Sequence, residues 1–117
     1  MMRMFLHTSL AGLGGFLLAG CGEDDAQLER GQRLLAQYQC TSCHSIPGVP
    51  GAQARVGPPL QKFGLRSYIS GEVPNRPDNL ARWIQEQTAL LPGTLMPAMG
   101  ASDADARDMA AYLSALR

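Results

Sequence analysis

Residues 40–44 read Cys40-Thr41-Ser42-Cys43-His44, and this stretch decides how the rest of the chain is interpreted. Two thiols at this spacing can reach the two vinyl groups on one edge of a porphyrin, and the next residue then turns its imidazole towards the iron. The C-x-x-C spacing by itself also occurs in dithiol redox pairs and zinc sites. The histidine after the second cysteine favours covalent attachment of one c-type haem, with His44 as the proximal iron ligand.

The other two uses of C-x-x-C fit this chain less well. Zinc requires further ligands, and the sequence has no second cysteine pair and no histidine besides His44 and His7, which lies in the N-terminal segment discussed next. A thioredoxin-like dithiol belongs in a βαβ context, whereas here a helical pattern precedes the motif and a loop rich in Gly and Pro follows it. A haem-free dithiol protein therefore remains only an alternative.

Residues 1–20 have the pattern of a bacterial export signal. Arg3 is followed by the apolar run 10–19, which is shorter than the ~20 residues of a membrane-spanning helix. The sequence Leu18-Ala19-Gly20-Cys21 resembles the lipobox of bacterial lipoproteins, and this resemblance implies that Cys21 is acylated and becomes the mature N-terminus. A plain secretory signal with a free Cys21 is the alternative. Residues 21–27 are acidic and are interpreted as a tether between the lipid and the domain.

Composition limits the size and the class of the protein. The chain has 117 residues, 45% of them hydrophobic, which is enough for one small folded domain and too apolar for wholesale disorder. The formal net charge of zero argues against a nucleic-acid partner. We expect no nucleic acid and no small-molecule substrate.

The apolar periodicity predicts three helices and no strands, hence an all-α fold. The first helix ends just before Cys40 and carries Gly31 in its apolar face; a glycine there predicts a close crossing with the last helix near Tyr112. The second begins near Pro77, runs through residue 87 and turns Trp83 inward. The last begins after a capping-box pattern at residues 102–105 and places Met109 in the core.

The sixth iron ligand has to come from a side chain other than histidine. The segment 91–100, Leu-Pro-Gly-Thr-Leu-Met-Pro-Ala-Met-Gly, offers two thioethers, and Met96 is favoured over Met99 because Pro92 and Pro97 stiffen its backbone. The residues that stay open as further candidates are Met109, Lys62, Tyr38, Tyr68 and Tyr112.

The loop 46–60 is rich in Pro and Gly and is predicted to wrap the haem edge. The carbonyl of Pro58 is expected to accept the Nδ1 hydrogen of His44 and so fix the orientation of the ring. An ordinary Pro-rich surface loop is the alternative.

Together these motifs resemble class I cytochrome c over residues 28–117. The likeness rests on the motif 40–44, Gly57-Pro58-Pro59-Leu60, Asn79-Leu80-Ala81-Arg82-Trp83-Ile84, the methionine loop and Ala111-Tyr112-Leu113. It is strongest to the small domains associated with, or fused to, subunit II of bacterial haem–copper oxidases. The resemblance implies three main helices and loops around one haem c, thioether bonds to Cys40 and Cys43, and axial ligation by His44 and Met96. It also implies that Pro58 holds His44, that Trp83 lies beside the haem, and that Arg66 or Tyr68 meets a propionate.

The function implied is that of a carrier of single electrons, not an enzyme, on the periplasmic side of a bacterial membrane. Expected partners are membrane-bound redox proteins such as a terminal oxidase or a quinol/cytochrome c reductase, with the membrane reached through the lipid on Cys21. The alternative is a haem-based gas sensor or enzyme whose sixth position is open or labile. With Lys62 as the only lysine, steering by a ring of positive charge is not expected.

Overall fold

A computed structural model describes residues 22–117 of the chain. The predicted signal segment and the lipidation site Cys21 lie outside the described residues, so both stay predictions. The described elements are four helices, α1 (Gly22–Gln37), α2 (Pro77–Gln85), α3 (Gln87–Leu90) and α4 (Asp103–Ala115), with short strands β1 (Tyr68–Ile69) and β2 (Val73–Pro74). None of the helices in this part of the chain is long and apolar enough to cross a bilayer.

Helix α4 is the centre of the fold, since it packs against both α1 and α2. Its inner face consists of small and medium apolar side chains that are almost completely buried, namely Ala106, Met109, Ala110 and Leu113. Ser102 caps the helix by accepting a hydrogen bond from the Asp105 amide at 3.1 Å, as the capping-box pattern predicts. Met109, with no exposed surface, is confirmed as a core residue.

Helices α1 and α4 cross at Gly31. A Cβ atom at this position would overlap the backbone carbonyl of Asp108 and lie 3.0 Å from Cβ of Tyr112, so only glycine fits the crossing as it stands. The close approach lets polar side chains join the two helices: Arg30 donates to Asp108 at 2.8 Å, and the hydroxyl of Tyr38 donates to Asp105 at 2.7 Å. The predicted crossing is confirmed.

The Arg30–Asp108 pair makes stability depend on pH. The hydrogen bond from Arg30 lowers the pKa of Asp108 below its ordinary value. The pair therefore stabilises the fold above the unfolded-state pKa of the carboxyl, and this contribution is lost as the pH falls through the lower folded-state pKa. We expect that Asp108→Asn lowers the free energy of unfolding at neutral pH. The difference in this free energy between the variant and the wild type should shrink as the pH falls towards about 2.

Chemical denaturation between about pH 7 and about pH 2 measures this difference. Glu86→Gln is the matched control. The Arg82 Nε and Glu86 Oε2 atoms are 3.8 Å apart and both side chains are exposed, so this ion pair should contribute little to stability. A difference for Asp108→Asn that stays constant with pH would contradict an electrostatic role for the pair.

The second predicted helix is interrupted. The sequence predicts one helix from Pro77 through Gln87, but α2 ends at Gln85 and a single turn, α3, follows. Glu86 leaves helical geometry at φ −140°, and the buried side chain of Gln87 donates to the Ile84 carbonyl at 3.0 Å. This side-chain bond satisfies a carbonyl at the end of α2, which periodicity alone does not predict.

The all-α fold is confirmed, but the structure adds a short strand pair and shows the acidic N-terminal segment as part of a helix. A two-residue antiparallel ladder joins β1 to β2 in the connection before α2, too short to show as an alternating pattern in the sequence. The acidic residues assigned to a tether form the first turns of α1 from Gly22 onwards, where Asp24 and Asp25 are exposed and suit the positive end of the helix dipole. Their role as a spacer from a membrane stays a prediction.

Candidate functional site

The motif 40–44 forms a tight turn directly after α1. Gln39 adopts a left-handed conformation, φ 62°, and redirects the chain into a 3₁₀ turn at Cys40–Ser42. The amide of His44 then donates to the Cys40 carbonyl at 3.0 Å. The following loop braces the turn: the Gly57 amide donates to the Cys43 carbonyl at 2.7 Å. Both cysteines and His44 are thereby carried on one rigid segment.

Cys40 and Cys43 are free, half-buried thiols. Burial raises the pKa of the Cys40 thiol to about 11, so this group is a neutral thiol at physiological pH in the haem-free chain. Residues 22–117 contain no cluster of three or more His, Cys, Asp or Glu side chains placed to hold a metal ion.

The ring of His44 is held from two sides. Its Nδ1 atom lies 2.6 Å from the Pro58 carbonyl oxygen, which can only accept, so Nδ1 carries the hydrogen and Nε2 presents a lone pair. Gly57 packs directly on the ring, since a Cβ atom there would lie 2.6 Å from Cε1. Of the two neutral tautomers of His44, this contact favours the one whose Nε2 lone pair is available to a metal ion.

A cavity of about 860 Å³ opens beside this turn. This volume is within the range of roughly 300–1,000 Å³ found for small-molecule and cofactor sites. The side chains that converge on it come from every helix except α3, as well as from the intervening loops, and they include Cys40, Cys43, His44, Met96, Pro58, Trp83, Leu80, Ile84, Met109 and Leu113. Two thiols, one imidazole and a thioether around a largely apolar space are a donor set that fits a covalently bound haem.

The methionine loop, which in the structure spans residues 91–101 between α3 and the cap of α4, places both of its methionines in the cavity lining. Met96 is half-buried and packs against the core, whereas 46% of the Met99 surface is exposed. Of the remaining candidates for the sixth ligand, Tyr38 and Met109 also line the cavity, but Tyr38 is engaged with Asp105 and Met109 is packed in α4.

Trp83 and Arg66 reach the cavity and Tyr68 does not. Trp83 is 6% exposed and lies in the lining, as expected from the second helical pattern. Arg66 also lines the cavity, but its guanidinium donates to the carbonyls of Pro59 at 2.5 Å and Gln61 at 3.3 Å. Tyr68 is 55% exposed and does not belong to the lining, and its expected contact with a propionate stays a prediction.

Two residues that position the site were not singled out for this role from the sequence. Gly57 belongs to a quoted motif, but its position against the His44 ring, where a Cβ atom would not fit, appears only in three dimensions. Asn75 donates to the carbonyls of Phe63 at 3.1 Å and Arg66 at 3.0 Å, and so fixes the segment that carries Arg66. A lone asparagine before a helix gives no sequence signal for such a bond.

The cytochrome c family model matches residues 28–117. The chain belongs to the cytochrome c family. Among curated proteins this cytochrome is 33% identical to cytochrome c oxidase subunit 2 of Alkalihalophilus pseudofirmus over 89 residues, which are 75% of this chain and 25% of that protein. It is 28% identical to the subunit 2 of Bacillus subtilis over 93 residues, 76% of this chain and 26% of the relative. The cytochrome therefore spans about a quarter of the length of these relatives.

The family match confirms the class I cytochrome c fold and one covalent haem c as the cofactor. The domain is accordingly a haem-binding electron-transfer module. A haem-free dithiol protein is excluded as an interpretation of Cys40 and Cys43.

Proposed function

We propose that this cytochrome is a membrane-anchored periplasmic carrier of single electrons, with His44 and Met96 as axial ligands of the haem iron. The observation that supports it best is that both side chains line one cavity together with Cys40 and Cys43, while Pro58 keeps the His44 Nε2 lone pair free for iron. Haem c supplies a one-electron ferric/ferrous couple when bound.

The residues around the cavity favour the reduced state. Imidazole and thioether are neutral ligands, so neither compensates the extra positive charge of oxidised iron. Apart from His44, Arg66 is the one ionisable basic group in the described lining, and most other lining side chains are apolar. A largely apolar cavity with a nearby cation penalises the oxidised state, and we expect a positive midpoint potential.

The most exposed side chains of the cavity lining are uncharged. Val56, Leu95 and Met99 line the cavity and are 82%, 97% and 46% exposed. Electron transfer through an exposed haem edge then involves a docking face without strong electrostatic steering, so association should depend weakly on salt. A lipid on Cys21 would compensate for the missing electrostatic steering, because confinement to the membrane raises the effective concentration of the cytochrome near membrane-bound partners.

The partners proposed are membrane-bound respiratory complexes. The relatives are named as subunits of cytochrome c oxidase, and this supports a terminal oxidase as electron acceptor. A quinol/cytochrome c reductase is the corresponding donor by chemistry, because it releases single electrons to haem proteins. With His44 and Met96 both on the iron, no coordination position is left for a substrate, which distinguishes the carrier from an enzyme or a gas sensor.

We expect the oxidised holoprotein to show the weak absorption near ~695 nm that reports iron–methionine sulfur ligation, and the reduced protein not to bind carbon monoxide at neutral pH. Met99→Leu should leave both properties unchanged, because Met96 remains as resident ligand and leucine conserves the side-chain volume. Optical spectra of both oxidation states provide the measurement.

Two outcomes would contradict this proposal in different ways. A wild-type protein that lacks the band and binds carbon monoxide readily has an open iron, as in a gas sensor or enzyme. A Met99→Leu protein that loses the band would make Met99 the resident ligand instead of Met96. Haem content and melting temperature of each variant show whether a loss is due to misfolding.

A further inference from the structure

The loop 91–101 brings two thioether side chains to one cavity. Met96 and Met99 both line it, and they are three positions apart in the sequence. Met99 therefore does not need to enter from elsewhere in the molecule to approach the space that a haem fills. At 46% exposed, it is bound less firmly to the protein interior than Met96.

The backbone of this loop is weakly fixed. Among the described residues, hydrogen bonds to the backbone groups of residues 95–101 are limited to the Met96 amide donating to the Thr94 hydroxyl at 3.4 Å and the Gln85 side chain donating to the Ala101 carbonyl at 3.5 Å. Both distances exceed the usual range of roughly 2.7–3.2 Å for such bonds. Little hydrogen-bond energy is lost if this segment moves.

Glycines at both ends of the segment allow such a movement. Gly93 and Gly100 have φ of 90° and 80°, and neither has an atom within 4 Å of the place where a Cβ would lie. Glycine crosses between left-handed and right-handed conformations at little steric cost, so the two positions can serve as hinges. Pro97, between the two methionines, keeps the part that moves extended.

We propose that Met99 is a reserve axial ligand that occupies the sixth coordination position when the Met96 sulfur is absent. This inference rests on the proposed function, since it requires a site in which methionine binds the iron. The exchange is a ligand substitution: the Met96 sulfur–iron bond is lost, a Met99 sulfur–iron bond forms in its place, and no electron or proton is transferred. The iron position stays closed to dioxygen and carbon monoxide.

Met109 lines the same cavity but does not qualify for this role. It is completely buried in the inner face of α4, and that helix is tied to the rest of the fold by the bond from Arg30 to Asp108 at 2.8 Å and the bond from the Gly64 amide to the Leu116 carbonyl at 2.9 Å. Moving its sulfur would disturb the core. The reserve ligand is therefore expected from the loop and not from the helix.

The test compares three holoprotein variants, Met96→Leu, Met99→Leu and the double variant, with the wild type. We expect Met96→Leu to retain a band near ~695 nm, altered in position or intensity, and to resist carbon monoxide when reduced. The double variant should lose the band and bind carbon monoxide. Met96→Ala serves as a second single variant if the leucine side chain interferes with folding, and haem content and far-ultraviolet circular dichroism establish that each variant is folded.

A Met96→Leu or Met96→Ala protein that is folded, haem-loaded and spectroscopically equal to the double variant would overturn the reserve ligand and leave the proposed function intact. Loss of the band in Met99→Leu would overturn it as well, since Met99 would then be the resident ligand. Absence of the band from the wild type removes the methionine ligation on which both proposals rest. The wild type and Met99→Leu therefore test the proposed function, on which the inference rests, and the Met96 variants test the inference alone.

Discussion

Gly57→Ala is expected to displace the His44 ring and change the haem spectrum and midpoint potential. The new Cβ would lie 2.6 Å from Cε1 and 2.9 Å from Nδ1 of His44, closer than side-chain carbons approach in folded proteins. The ring cannot retreat freely, because its Nδ1 atom is held 2.6 Å from the Pro58 carbonyl and its backbone belongs to the 40–44 turn. Overpacking of this kind costs about 1–3 kcal/mol, so a lower melting temperature should accompany the spectral change.

Spectropotentiometric titration and thermal unfolding of the holoprotein measure the two effects. Gly71→Ala is the control, because Gly71 has φ 79° and nothing within 4 Å of a Cβ. This control carries the backbone strain of an alanine in a left-handed conformation, about 1–2 kcal/mol, without any contact to the site. If Gly57→Ala matches the wild type in spectrum and potential, the glycine does not position His44.

Gly31→Ala is expected to destabilise the whole domain. Its Cβ would overlap the Asp108 carbonyl, and because that oxygen belongs to the backbone of α4 it cannot turn away as a flexible side chain would. Alanine favours a helix by about 1 kcal/mol over glycine, but separating α1 from α4 also weakens the Arg30–Asp108 and Tyr38–Asp105 bonds. We expect a net loss of about 1–3 kcal/mol.

Thermal unfolding of the holoprotein measures this loss, which for a domain of this size corresponds to about 4–8 °C per kcal/mol. Gln37→Ala is the matched control, since it places alanine at an exposed position of the same helix and should change stability by less than about 0.5 kcal/mol. An unchanged melting temperature for Gly31→Ala would show that the helices tolerate a wider crossing.

The sequence was most informative where the relevant interaction is short in range or imposes an unusual residue. The spacing of Cys40, Cys43 and His44 is the one that covalent attachment and ligation of a haem require, and the family match bears out the haem. The helix crossing at Gly31 can be predicted because a glycine in an apolar helical face costs stability unless another backbone comes close. The start of α2 at Pro77 and the cap at Ser102 follow from the local hydrogen-bonding needs of helix ends.

Contacts between segments distant in the sequence were decided by tertiary structure alone. Which side chains enter the cavity depends on how the loops pack on α1, α2 and α4: Arg66 lines it and binds Pro59, while Tyr68 stays outside. The break after Gln85 depends on the burial of the Gln87 amide. The presence of both methionines in one cavity likewise depends on how the loop 91–101 folds back onto the helices. Periodicity and motif spacing describe a chain only over a few residues, whereas packing against a common core fixes the positions of residues from distant parts of the sequence.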